Sequence, residues 1–256
     1  MQPITIIVPC HNGAATLARA LDSCIAQQPA RQILVVDDGS TDATASFARA
    51  HAMREPRVKL AQMPGQGGLA RARNWGALAA ETPFLAFLDA TDEYLPGALA
   101  AAVAYLQQFP HEAAVRLDVD FVDFPKVIAT HGRFAEFGAT LSNTVASSLV
   151  MRRSAYLALG GFPVGEFFRR HGGDDGALSW ALSQIFGQRR LDNAKRVRHH
   201  YRAGAPAERF FRAQMRLDTP DPEHAAEVVR HSRAYLDAAR ERIHELRALG
   251  VSTSAS

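Results

Sequence analysis

The sequence predicts an α/β protein whose mostly parallel sheet is covered by helices on both faces. Short β-branched runs alternate with longer stretches of helical periodicity through the first 109 residues. The runs are apolar almost without interruption, as strands buried on both faces must be. Polar residues gather immediately after the runs, where open α/β sheets bind their ligands.

The first run, Ile4 to Val8, leads into a helical pattern over Ala14 to Gln27. Ile33 to Val36 is followed by a helix over Thr41 to His51, Val58 to Gln62 by one over Gly68 to Ala80, and Phe84 to Leu88 by one over Pro96 to Phe109. Beyond residue 112 the pattern loosens. Val115, Leu117, Val119 and Phe121 alternate with Arg116, Asp118 and Asp120, which predicts a half-exposed strand. Ser147 to Met151 reads as a further strand, followed by a short helix ending at Gly160-Gly161. Asp175 to Phe186 reads as a helix, and Pro220 and Pro222 introduce a last one over Glu223 to Leu249. Its stripe of Ala225, Val228, Val229, Ser232, Leu236, Ala239, Ile243 and Leu246 is expected to pack on the body or on a second copy of the chain. Trp75 and Trp180 fall on helical patterns and are expected in the core. The last residues, 251–256, are expected to be disordered.

Composition narrows the function classes. With 47% apolar and 21% charged residues, a 256-residue chain can bury a core without metal or disulfide staples. Cys10 and Cys24 belong to no Cys/His cluster and read as isolated buried thiols. A net charge of +3 carries no nucleic-acid signature. Basic residues thicken at Arg189, Arg190, Lys195, Arg196, Arg198 and Arg202, facing a diphosphate, an anionic membrane surface or solvent. No run approaches the roughly 18 apolar residues of a membrane span, and no signal peptide is read at the N-terminus. A cytoplasmic protein is expected, with the inner membrane surface as a peripheral contact.

Three polar clusters follow the strands. Asp37-Asp38-Gly39-Ser40 puts two carboxylates where burial makes them need donors, which a nucleobase N–H and ribose hydroxyls would supply. The same residues begin a helix, and Ser40, Thr41 and Asp42 suffice to cap it, leaving Asp38 for a ligand. Asp89-Ala90-Thr91-Asp92 offers hard oxygens for Mg²⁺ or Mn²⁺ bridging to a diphosphate, or is a plain turn. Pro9-Cys10-His11-Asn12-Gly13 ends the first strand. Gly65-Gln66-Gly67-Gly68-Leu69-Ala70 satisfies a dinucleotide fingerprint, but after the third strand instead of the first. His199-His200-Tyr201-Arg202 is either a surface strand end or a histidine held near a metal.

In this order the segments resemble family 2 glycosyltransferases. Ile6 to Asn12, Val35 to Asp42, Gly68 to Asn74, Phe87 to Asp92, Gly160 to Pro163 and Gly173-Asp174-Asp175 each match a motif of that family, across residues 4 to about 187. The resemblance implies a GT-A type, Rossmann-like fold in which residues 1–205 form the transferase domain, 1–95 its nucleotide-binding half and 96–205 its acceptor-binding half. Residues 206–250 would form a C-terminal helical extension, through which two copies could pair.

It further implies that Pro9, His11, Asp37, Asp38, Arg71, Arg73 and Asp89 bind the nucleotide-sugar donor. Asp92, Asp89 and His199 would hold Mg²⁺ or Mn²⁺. Asp175, with Asp174 second, would be the catalytic base in an inverting transfer, with UDP-sugar the expected donor and a carbohydrate, lipid-linked or other small acceptor. Two departures stand out. Thr91 occupies the position of the expected metal carboxylate, which puts metal dependence in question and admits a nucleotide-sugar-binding protein without catalysis. Asp174-Asp175 replaces the commoner Glu-Asp pair, preserving the charge. A dinucleotide oxidoreductase is the remaining alternative.

Overall fold

The computed structural model describes residues 1–219, 221–251 and 253. In chain order it runs β1 (Ile4–Cys10), α1 (Leu17–Ile25), β2 (Ala30–Asp37), α2 (Thr44–Arg54), β3 (Val58–Gln62), α3 (Leu69–Ala79), β4 (Phe84–Phe87), β5 (Glu93–Tyr94) and α4 (Ala98–Gln108). The second half follows as β6 (Ala114–Val122), α5 (Lys126–Ala129), α6 (Phe134–Leu141), β7 (Leu149–Arg152), α7 (Arg153–Leu159), α8 (Glu166–His171), α9 (Asp174–Phe186), β8 (Arg189–His200), α10 (Pro206–Gln214) and α11 (Pro222–Ala248).

Among the described residues one sheet has the strand order β3-β2-β1-β4-β7-β6-β8-β5. The strands β3, β2, β1 and β4 are parallel, as the alternating pattern predicts. Their continuous apolar character has the expected cause. Ile4, Ile6 and Val8 of β1 enter a cluster with Leu17, Leu21, Leu99 and Val103, while Ile7 enters another with Ala72, Phe87, Tyr156 and Leu178 on the opposite face. In the second half β7 runs antiparallel to β4 and β6, and β8 is parallel to β6.

Several expectations fail for one reason, that a neighbour far along the chain decides burial. Strand β6 is central, not half-exposed: Arg116 and Asp118 are buried, because β8 covers its edge and Ser179 of α9 meets Arg116. Strand β8 carries Arg, Asp, Asn and Lys and has no apolar period to announce it. Its basic run is no free patch, since Arg190 and Lys195 pair with Asp118 and Arg198 with Glu93 and Asp120. Trp75 is 44% exposed, on the outer side of α3, so it is not a core residue.

Helix α11 packs on α7 and α9 through Ser232, Leu236, Ala239 and Ile243, while Ala225 and Val229 at the start of the expected stripe stay exposed. The expected tail largely lies outside the described residues (252 and 254–256). Thr253 does not fit it, being buried and accepting a 3.0 Å bond from Arg247 Nε. Pro220 also lies outside them. No helix among the described residues is long and apolar enough to cross a membrane.

Candidate active site

The start of α3 and Asp89, just beyond β4, open toward a cleft of about 720 Å³, closed from the other side by α8, the start of α9 and the segment after β8. On its floor lies Arg73, which α3 projects inward and which is 3% exposed. Its Nη2 donates to Asp89 Oδ1 at 2.7 Å, and its Nη1 lies 3.3 Å from Asp175 Oδ1 and 3.4 Å from Asp174 Oδ2. The guanidinium sits over the Phe162 ring, 4.9 Å from its centroid. Three carboxylates thus share one cation.

That imbalance sets the proton affinities. Burial raises Asp89, but Arg73 outweighs it and holds the carboxyl below its usual range. Burial lifts Asp174 above that range against the pull of Arg73. Asp175 is pushed up to about 7 by burial, opposed by Arg73 and reinforced by Asp174 and Asp89. Beneath it, fully buried Arg116 donates to Val145 O, Ser148 Oγ and Ser179 Oγ, and burial pushes it down to about 10, still a cation at neutral pH.

Two turns position these groups. Gly173, at φ +90°, ends the turn before α9, so that Asp174 and Asp175 occupy the helix's first turn, where its dipole favours ionised carboxylates. Asn74, on the same helix as Arg73, clamps the turn that carries Phe162. Its Oδ1 accepts the Phe162 N–H at 2.8 Å and the Tyr156 hydroxyl at 2.5 Å, and its Nδ2 donates to Phe162 O at 2.8 Å. Gly161, at φ +73°, is required there, since a Cβ would come within 2.4 Å of Asn74 Oδ1.

Of the expected donor-binding residues, Arg71, Arg73 and Asp89 line the cleft and Pro9, His11, Asp37 and Asp38 do not. Pro9 is buried within β1, in register with Val36 of β2. The ring of His11 is held by its Nδ1 against Asp38 O at 2.8 Å. Asp37 accepts Ser40 N at 3.0 Å and Gln62 Nε2 at 3.3 Å. Asp38 is 1% exposed, and its oxygens accept the Gly67 and Gly68 N–H groups at 2.7 and 2.8 Å. Both of its oxygens thus bind the chain's own backbone.

Of the expected capping residues, Ser40 accepts instead from Asn12 N, and Asp42 accepts Thr44 N at 2.9 Å at the start of α2. Because Asp38 occupies those amides, the Gly65-to-Ala70 segment cannot cradle a pyrophosphate, and the dinucleotide reading loses its anchor. Replacing Asp38 by alanine should take the charged acceptor from two half-buried N–H groups and cost about 1–3 kcal/mol in all. Chemical denaturation checks this. A variant as stable as the wild type would free Asp38 for a ligand after all.

As a cation site, Asp89, Asp92 and His199 do not fit. Asp92 is fully buried, and its Oδ2 accepts Ser147 Oγ at 2.6 Å and the His199 Nδ1–H at 3.0 Å. Burial opposes charge on His199, but Asp92 holds its proton affinity above the ordinary value. Ser147 also accepts Asp89 N at 3.1 Å, so it ties the two aspartates' turn together. Among the described residues no three His, Cys, Asp or Glu side chains form a metal-holding group. Ser147, Asn74, Phe162 and Arg116 also build the site, although the motifs name none of them for it. Asn74 and Phe162 stood inside matched motifs; Ser147 and Arg116 carry no local signal.

The sequence model of Glycosyl transferase family 2 matches residues 5–156, more than half of the chain. The chain belongs to that family. It is 34% identical over 137 residues to the succinoglycan biosynthesis protein ExoU of Rhizobium meliloti, covering 54% of this chain and 39% of ExoU. Among solved structures it is similar to S. aureus TarS 1–349 in complex with UDP-GlcNAc, at TM-score 0.67 and 17% identity over 95% of this chain and 71% of that one. The mannosyltransferase PcManGT from Pyrobaculum calidifontis, in complex with GDP-Man and Mn²⁺, matches at TM-score 0.63 and 23% identity, over 96% and 75%. These likenesses make the fold that of the GT-A glycosyltransferases. The chain spans about two fifths of ExoU's length.

Proposed function

We propose that this chain transfers a sugar from a nucleoside-diphosphate donor, with UDP-sugar the first candidate, to an acceptor hydroxyl with inversion. The observation that carries the reading is the carboxylate triad on the cleft floor around Arg73, with Asp175 pushed up to about 7. A base poised near neutrality takes a proton from a hydroxyl only as that oxygen becomes a nucleophile. The acceptor oxygen bonds to the anomeric carbon while the bond from that carbon to the diphosphate oxygen breaks. The hydroxyl proton passes to the Asp175 carboxylate, and the electron pair leaves with the nucleoside diphosphate. Attack opposite the leaving group gives inversion. Arg73 keeps Asp174 and Asp89 in place while Asp175 gains and loses the proton. Family membership, together with the UDP-GlcNAc and GDP-Man complexes of the structural relatives, supports this reading of the cleft.

A panel of UDP-, GDP- and dTDP-sugars assayed by thermal shift and donor consumption tests it. A cognate donor at 100 times its Kd should add about 2.7 kcal/mol of stability and be consumed. If none of these donors stabilises the protein, the proposal fails. Stabilisation without consumption would favour the binding protein that Thr91 admits.

A further inference from the structure

A leaving nucleoside diphosphate must be neutralised, and in this chain the groups that would do so with a divalent cation are committed elsewhere. Mg²⁺ and Mn²⁺ want several hard oxygen ligands. The third position of Asp89-Ala90-Thr91 supplies a hydroxyl in place of a carboxylate. Asp89 Oδ1 is spent on Arg73, and Asp92 is fully buried against Ser147 and His199. Of this set one Asp89 oxygen remains toward the cleft and, like Asp174 and Asp175, it lies beside a guanidinium that repels a cation.

The cleft walls carry the opposite chemistry. Arg71, in the first turn of α3, and Arg202, just after β8, line it from two sides, and both are exposed. Among the described residues neither side chain makes a hydrogen bond or an ion pair with another residue, although the cleft holds Asp89, Asp174 and Asp175. Those three acids face Arg73 instead. Arg202 lies near enough to Asp89 to favour its ionised form. By contrast, Arg169 and Arg170 share Glu166, and Arg209 donates to Gly204 O at 2.9 Å. A guanidinium presents a planar fork of donors that fits phosphate oxygens, and its bonds to them are charge-assisted.

We infer that the diphosphate of the donor is bound and neutralised by Arg71 and Arg202, without a divalent cation. The inference rests on the proposed donor-dependent transfer. During the step described above, the negative charge arriving on the departing phosphate oxygen is met by these two guanidinium groups, which neither gain nor lose a proton.

The test titrates uridine and guanosine 5′-diphosphates into the whole chain by calorimetry, first in EDTA and then in Mn²⁺, alongside the parent nucleosides. The better-bound diphosphate should show affinities within about threefold in the two buffers, which is well under 1 kcal/mol. Arg202→Ala and Arg71→Ala should each weaken it about tenfold in EDTA, and leave binding of the nucleoside unchanged. Arg202→Lys, which keeps the charge but not the fork, should recover part of the loss. Both residues are exposed, so the variants should melt with the wild type. Diphosphate binding that appears only with Mn²⁺ overturns the inference and leaves the donor reading standing. Wild-type affinity in both alanine variants overturns it as well. Absence of binding in either buffer overturns both readings.

Discussion

Replacing Asp175 by asparagine should lower transfer to acceptor by roughly 10²–10⁴-fold, since the amide keeps the size and hydrogen-bonding capacity but cannot take a proton. Donor affinity should hardly change. The wild-type rate should rise with pH through about 7, where Asp175 loses its proton, and level off above. The same group sets the sign of a stability effect. An unfolded aspartate ionises near 4, whereas the folded one keeps its proton to about 7. Stability is therefore lost as pH rises through that window, and above it the folded state carries the full penalty of a buried charge. Asp175→Asn removes the penalty, so the variant should melt above the wild type at pH 8 and with it at pH 4. Slower transfer with greater stability would separate a base from a helix cap, whose loss lowers stability and spares turnover. A normal transfer rate would take Asp175 out of the mechanism and turn attention to Asp174.

Removing Arg73 should have the largest effect on stability of any change at the site. Arg73→Met fills the same volume but leaves Asp89, Asp174 and Asp175 facing one another without their shared cation. Breaking a buried ion pair from one side costs about 3–5 kcal/mol. In a chain of this size that is a fall of very roughly 6–20 °C in Tm. The carboxyls can relieve the repulsion by binding protons, so the deficit should shrink as pH falls from 8 to 5. Arg73→Lys should fall between the two, because a point charge cannot reach three carboxylates as a fork does. Thermal melts across pH report this directly. An unchanged Tm for Arg73→Met at pH 8 would mean that the triad is held by backbone alone.

The first half of the fold was legible because its physics is local. Ile4 to Val8, apart from Thr5, and Ile33 to Val36 are apolar because helices cover both faces of the sheet, and the spacing of strands and helices then sets a parallel order. The acids were legible too, Asp89 because it stands just beyond an apolar run and Asp174-Asp175 because they follow a glycine pair at the start of a helix. Their destinations were not. The sequence of α3 shows Arg71 and Arg73 two positions apart, yet only the folded chain sends Arg73 inward to three carboxylates and leaves Arg71 in the cleft. Asp38 looked free by local bookkeeping, and a loop 29 residues further on consumes it. The alternation at Arg116 was real, but its outward face vanished once α9 and β8 packed over it. The amino-acid sequence by itself thus determined which elements form and which charges lie at the sheet's carboxyl edge. The tertiary structure alone decided which of those charges neutralise one another and which remain for a ligand, because that depends on approach across distant segments in a medium where an unpaired charge is costly.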